Sequence, residues 1–204
     1  MKKSLFIIAI VAIIAIALFV SGKSTYNKMV ALDQDVDQAW AKVEVQYQRR
    51  LDLIPNLVET VKGYAEHESS TFENVTKARA GLTDAYNEAR SLEGTVSTDD
   101  TKTFDAVNQA QSKLRSALDI YVNAVHEAYP DLKANKQFEE LQVQLESTEN
   151  RIATERGRYT DVVKDYNVAV KSFPANIWAG IFGFSTKPQF QADAAAATAP
   201  KVEF

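Results

Sequence analysis

The chain has 204 residues and 22.7 kDa, with 25% charged and 46% apolar side chains, enough for one good core with an appendage. A net charge of −4 offers no basic face for nucleic acid, and the lack of cysteine removes disulfides, thiolate catalysis and Cys-based metal sites. With 7 Gly and 5 Pro, few positions can force the backbone to turn.

The first element follows a short end, residues 1–4, that carries Lys2 and Lys3. Residues 5–20 are drawn only from Leu, Ile, Val, Ala and Phe. As a helix this run is ~24 Å long, against a hydrocarbon core of ~30 Å. Ser21 and Gly22 extend it, so 5–22 is read as a single transmembrane anchor whose flanking Lys2, Lys3 and Lys23 reach the headgroups. The competing reading is a cleaved signal peptide, with Val20-Ser21-Gly22 or Ala15-Ile16-Ala17 as the small-residue site. The retained anchor is preferred because the apolar run exceeds the usual h-region and the next helix follows at once. Lys2 and Lys3 orient the N-terminus to the cytoplasm and the body to the periplasmic or extracellular side, against a weaker pull from Lys23 and Lys28.

The body, 24–173, reads as an antiparallel bundle of four long helices. Met29, Leu32, Val36, Ala39, Trp40, Val43, Tyr47 and Leu51 recur at steps of three and four, the seam of an amphipathic helix over 24–51. Pro55, with Asp52 as a cap, predicts a turn or kink near 51–55 and a second helix over 53–91. The run 94–100, Gly-Thr-Val-Ser-Thr-Asp-Asp, then breaks the pattern. A third helix over 99–127 carries Phe104, Val107, Gln111, Leu114, Leu118, Tyr121 and Val125. The fourth, 134–173, runs from Phe138 to Phe173 and is ended by Pro174. No stretch alternates long enough to argue for a strand. The fold class is therefore all-α: an N-terminal transmembrane helix followed by an up-down bundle.

The ending differs in kind. Residues 174–190 form an apolar segment rich in Gly and aromatics, too short to span a bilayer, and 191–204 an Ala-rich tail. Ile177, Trp178, Ile181, Phe182 and Phe184 are candidate membrane or partner contacts; the alternative is that the segment folds back over the open end of the bundle. Val202, Glu203 and Phe204 have the apolar-x-apolar-carboxylate form that a PDZ-type groove takes by strand addition, a candidate docking motif.

Catalytic constellations do not emerge. The residues three before His67 and His126 are Tyr64 and Asn123, so the Glu-x-x-His pattern of di-iron bundles is missing, and Glu66-His67-Glu68 reads as a solvated turn. No Gly-x-Ser-x-Gly elbow, Ser-x-x-Lys pair or Gly-rich phosphate loop occurs. No enzyme activity, cofactor or metal is expected. One polar knot interrupts a helical seam: Gln46, Gln48, Arg49, Arg50, Asp52 and Asn56 around Pro55. The preferred reading is structural, with Arg49 or Arg50 paired to Asp52 and Asn56 tying off backbone groups freed by the proline. Arg151, on the fourth helix, is expected to face one of these acids across the bundle.

Several of these segments carry a family resemblance. Tyr47-Gln48-Arg49-Arg50-Leu51-Asp52-Leu53-Ile54-Pro55-Asn56-Leu57-Val58, Tyr129-Pro130-Asp131-Leu132-Lys133-Ala134, the run 145–151 ending Glu-Asn-Arg, Phe173-Pro174-Ala175-Asn176 and Ala199-Pro200-Lys201-Val202-Glu203-Phe204 resemble the LemA family along essentially the whole chain. The resemblance implies an N-terminal transmembrane helix, a bundle of long helices and no established enzymatic activity. A magnetosome-membrane relative makes a membrane-organising role an analogy. The family offers no agreed catalytic or binding residues to carry over. The expectation is a single-pass inner-membrane scaffold or interaction protein, binding membrane, an unidentified protein or its own copies. A ligand- or metal-binding sensor built on the polar knot, or an adaptor docking through its tail, is the alternative.

Overall fold

Apolar residues spaced by three and four fold here as helices, because that spacing gives each helix one continuous face to bury. The computed structural model describes residues 2–68 and 72–190, and among them there are five α-helices and no strand. They are α1 (Lys2–Glu68), α2 (Glu73–Ser91), α3 (Thr101–Ala128), α4 (Lys136–Lys171) and α5 (Ala175–Phe182). A 3-10 turn, Pro130–Ala134, joins α3 to α4.

The long pair α1 and α4 runs antiparallel, fixed by contacts such as Trp40 with Tyr159 and Arg50 with Glu149. The shorter hairpin of α2 and α3 packs alongside, its strands of helix bridged by Lys113 and Glu88 at 2.9 Å. The chain direction alternates up, down, up, down. Two clusters of buried side chains fill the interior. The distal one, from Leu51 to Leu145, draws on all four bundle helices. The other draws on α1, the start of α3, α4 and Ala179 of α5.

The expected break at 51–55 does not occur, and this corrects the boundaries 24–51 and 53–91. α1 is a single helix of 67 residues with Pro55 inside it, about 100 Å long at ~1.5 Å per residue. A mid-helix proline costs about 3 kcal/mol, through one lost hydrogen bond and a clash with the preceding turn. Against that stand Leu51, Ile54 and Leu57, buried to 1%, 3% and 0% exposure. Each contributes ~1.5–3 kcal/mol by burial, and they hold their seam only if the helix continues. Pro55 itself faces solvent. The seam wins over the local rule. The next helix starts at Glu73, after Phe72 in an extended conformation (φ −87°, ψ 128°), so the stretch read as one helix over 53–91 is the end of α1 followed by α2.

The remaining ends follow side-chain capping. The Asp100 carboxylate accepts from the Lys102 amide at 2.9 Å and starts α3. The Asn135 side chain accepts from Gln137 and Phe138 amides, so α4 begins at Lys136 and residue 134 belongs to the 3-10 turn. α4 ends at Lys171 and Ser172 turns extended, which throws Phe173 off the seam to 81% exposure. Gly183, at φ +80°, takes the left-handed position that closes α5, with the Phe184 amide donating to the Ala179 carbonyl at 2.9 Å.

Since Pro55 lies on the exposed side of an unbroken helix, Pro55→Ala should restore a backbone bond. We expect a gain of about 1–2 kcal/mol, less than the full proline penalty because alanine frees the unfolded chain. Denaturant unfolding of the detergent-solubilised protein measures it, and a loss of stability would contradict the continuous α1.

Candidate functional site

At mid-bundle the polar knot resolves into one buried cation. Arg50, 3% exposed, pairs through Nη1 with Glu149 Oε2 at 2.8 Å. Its Nη2 donates to both the side-chain and backbone oxygens of Gln111, the latter at 3.3 Å. Arg115 reaches the other Glu149 oxygen at 3.2 Å, so one carboxylate on α4 is shared by arginines of α1 and α3. Burial pushes the Arg50 guanidinium's pKa down, and the neighbouring Glu149 charge opposes that. Tyr47, whose ring lies 5.7 Å from the guanidinium, has its pKa raised by burial, against the pull of Arg156 and Arg50.

The expected pairings are corrected accordingly. Asp52 is exposed and does not pair with Arg50, and Arg49 is exposed as well. Arg151 points to solvent, and Glu149, two residues earlier, takes the place expected of it. Asn56 donates to the Asp52 carbonyl at 3.4 Å, one residue past the carbonyl that Pro55 leaves free. The Gln46 Oε1, the Tyr47 hydroxyl and the Arg50 Nε are buried without a protein partner. An open groove of about 570 Å³ beside the network is lined by Arg50, Arg115, Asp119, Glu146 and Glu149. Three carboxylates there outnumber the two guanidinium groups, which disfavours an anion site.

The end of the bundle beside the apolar run is the more distinctive region. Below Asp37 the α2–α3 hairpin has ended, and α1 and α4 would stand as a bare pair. Residues 183–190 climb back between them. Lys187, its side chain 1% exposed, bonds Asp33 at 2.7 Å, Asp99 at 3.0 Å and the Thr98 hydroxyl at 2.9 Å. Thr98 in turn donates to Asp37 at 2.7 Å. The Asn167 side chain grips the Lys187 backbone on both sides, accepting from its amide at 2.8 Å and donating to its carbonyl at 3.0 Å. Above this latch Phe190 enters a ring cluster of Trp40, Phe104 and Tyr159, with the Arg156 guanidinium 4.2 Å from its centre. The Tyr159 hydroxyl donates to the Pro188 carbonyl at 3.1 Å, and burial raises its pKa.

Burial alone would lower the pKa of the Lys187 ammonium. Hydrogen bonds and charges from Asp33 and Asp99 outweigh it, and the net shift is upward from 10.5. A raised lysine stabilises the fold fully below its unfolded value and loses that contribution as pH climbs through the folded one. The latch is therefore whole across the neutral range and fails only above pH 10.5.

α5 sits below the latch, at the exit of the apolar run. Trp178 covers Gly22 so closely that a Cβ there would stand 3.0 Å from its ring. Phe182 meets Tyr26 edge-on at 5.0 Å and stacks on Trp178 at 6.0 Å, while Phe184 lies 5.7 Å from Tyr26. The other face, Ile177 and Ile181, is 53% and 65% exposed. Both readings of this segment thus have a counterpart: 183–190 folds back over the bundle, and α5 keeps an open apolar face. The sequence showed the segment's apolarity but not the part of Gly22 and Lys187; a lone lysine in an apolar stretch, Ser-Thr-Lys-Pro, was the available signal.

His126 pairs with Gln142 at 2.9 Å and packs on Phe138, and His67's side chain lies outside the described residues. So do Val202, Glu203 and Phe204. Among the described residues no three acidic or histidine side chains converge as metal ligands would.

Arg50, Gln111, Glu149 and Lys187 all fall within residues 39–204, which match the sequence model of the LemA family. The chain belongs to the LemA family. Among similar LemA-family sequences is Magnetosome protein MamQ 2 of Paramagnetospirillum magneticum, 28% identical over 195 residues, covering 91% of this chain and 70% of the relative. Magnetosome protein MamQ of Magnetospirillum gryphiswaldense is 27% identical over 175 residues, covering 81% and 64%. Protein LemA of Metamycoplasma hominis is 24% identical over 178 residues, covering 87% and 70%.

Two outcomes check this geometry. Glu149→Ala leaves the Arg50 charge buried and unpaired and should cost about 2–4 kcal/mol in denaturant unfolding, while Arg50→Met with Glu149→Leu recovers most of that. Equal losses in both variants would show that the ion pair is not the source. Lys187→Met should release residues 183–190 and red-shift the emission of Trp40 by withdrawing Phe190 from it. In the unaltered protein that emission should stay constant from neutral pH to about 10. A fluorescence titration that moves at neutral pH would remove Lys187 as the latch.

Proposed function

We propose that this LemA-family chain is a membrane-anchored, non-enzymatic scaffold or interaction protein of the bacterial envelope, with its N-terminus in the cytoplasm and its bundle outside. The observation that carries the proposal is the continuity of α1. The same helix that supplies the apolar run long enough to cross a membrane continues without a linker into the bundle core. A flexible tether would let a catalytic domain roam, whereas a continuous helix holds a surface at fixed height above the bilayer. Similarity to magnetosome proteins favours a role at a membrane over one in solution. The charged groups at mid-bundle, Arg50, Arg115 and Glu149, are paired with one another, as in a structural network, which disfavours the sensor alternative.

The chain lacks cysteine, so single cysteines can be placed at will. Crosslinking in native membranes from exposed bundle positions such as Val45, Ile120 and Val143 should trap a partner or a second copy at one of them. Recovery of a lone monomer from every position would contradict a scaffold. Labelling Val143→Cys in spheroplasts with a membrane-impermeant maleimide should succeed without lysis; protection until lysis would reverse the topology.

A further inference from the structure

We propose that α5 is a second, interfacial membrane contact, lying in the headgroup layer with Phe173, Ile177 and Ile181 toward the acyl chains. The proposal rests on the anchored reading above and adds a lipid surface as the occupant of an open apolar face. The depth follows from what α5 touches. The apolar run ends at Val20, and α5 packs on Gly22 and Tyr26. At ~1.5 Å per residue, Tyr26 is about 9 Å beyond Val20 along the axis. The headgroup region on each side of the hydrocarbon is about 5–8 Å thick. Gly22, under Trp178, is about 3 Å beyond Val20 and so within that layer, while Tyr26, under Phe182, stands at its outer border; these contacts hold α5 across the layer's outer half.

One face of α5 packs on α1, and the other is open and apolar. Trp178 and Ala179 turn inward, with Ala179 buried and the Trp178 ring on Gly22, and Phe182, 41% exposed, packs its edge on Tyr26. Phe173, Ile177 and Ile181, spaced four apart, turn outward at 81%, 53% and 65% exposure. No acidic or basic residue occurs in the helix. Such a stripe is costly in water and favourable at an acyl boundary, where aromatic rings also concentrate. Exposed Lys23 and Lys28, and Lys171 at the end of α4, occupy the adjoining levels, where ammonium groups meet lipid phosphates. The rings of Trp178 and Phe182 join α5 to the anchoring helix at Gly22 and Tyr26.

Spin labels at single cysteines in the full chain test this. The substitutions are Ile13→Cys in the anchor, Ile177→Cys and Ile181→Cys in α5, and Val143→Cys on α4 as an aqueous reference. Each protein is reconstituted into vesicles of phosphatidylethanolamine and phosphatidylglycerol, and its folding is checked by helical circular dichroism. At Ile177 and Ile181, collisions with oxygen, which partitions into lipid, should exceed collisions with a water-soluble nickel chelate severalfold, as at Ile13. At Val143 the order should reverse. Nickel-dominated collisions at Ile177 and Ile181, with Ile13 still in lipid, would place α5 in water and overturn the second contact while leaving the anchor. Low collisions with both reagents there would mean that protein covers the face, which overturns the lipid assignment in favour of a second copy. Nickel-dominated collisions at Ile13 would overturn the anchor and the second contact together.

Discussion

A helix that crosses ~30 Å of hydrocarbon must satisfy every backbone amide within itself, so it leaves the bilayer as a stiff rod. In this protein nothing interrupts α1 where its apolar run ends. α1 passes from the apolar run through Gly22 and Tyr26 into the buried seam of Met29, Val36, Trp40 and Val43. Everything else is placed relative to that rod. α4 lies along it in the opposite sense, the α2–α3 hairpin completes the distal bundle, and the C-terminal segment closes the end nearest the membrane. The proline at position 55, which local chemistry would make a hinge, is overridden by the apolar side chains buried on either side of it.

The two ends of the bundle are stabilised by different physics. The distal half is a conventional apolar core shared by four helices. The proximal half has too few helices for that and borrows residues 183–190, fixed by a buried ammonium among three aspartates and by a phenylalanine in a ring cluster. A buried charge that is fully hydrogen-bonded adds less stability than an apolar side chain of its size, but it tolerates only one register. The same holds for Arg50 between Gln111 and Glu149. These two polar devices set how far α1, α3, α4 and the returning segment slide past one another, which the smooth apolar seams alone would leave loosely defined.

Much of this was legible in residue spacing. The seam positions of α3, from Phe104 to Val125, are all buried as their three-four spacing required, and the length and purity of the apolar run fit a helix long enough to cross a membrane. Three things were not legible. Whether Pro55 breaks the helix depends on the sum of burial around it, a tertiary quantity. The partner of Arg50 depends on which residue of α4 reaches its level, and periodicity cannot separate Glu149 from Arg151 until the rotation of that helix is known. The burial of Lys187 could not be read from spacing because its aspartates, Asp33, Asp37 and Asp99, lie in two other parts of the chain, far away in sequence. Gln111, a polar residue on an otherwise apolar seam, was the one written hint that a buried polar partner existed.

The central claim is that anchor and bundle form one rigid body along α1. The most direct measurement is the distance distribution between spin labels at Ile13→Cys and Val45→Cys in the full chain, reconstituted in vesicles. An unbroken helix predicts a single narrow distribution near 48 Å, from ~1.5 Å per residue. A broad distribution, or one centred well below that value, would show a joint between membrane and bundle and contradict the account.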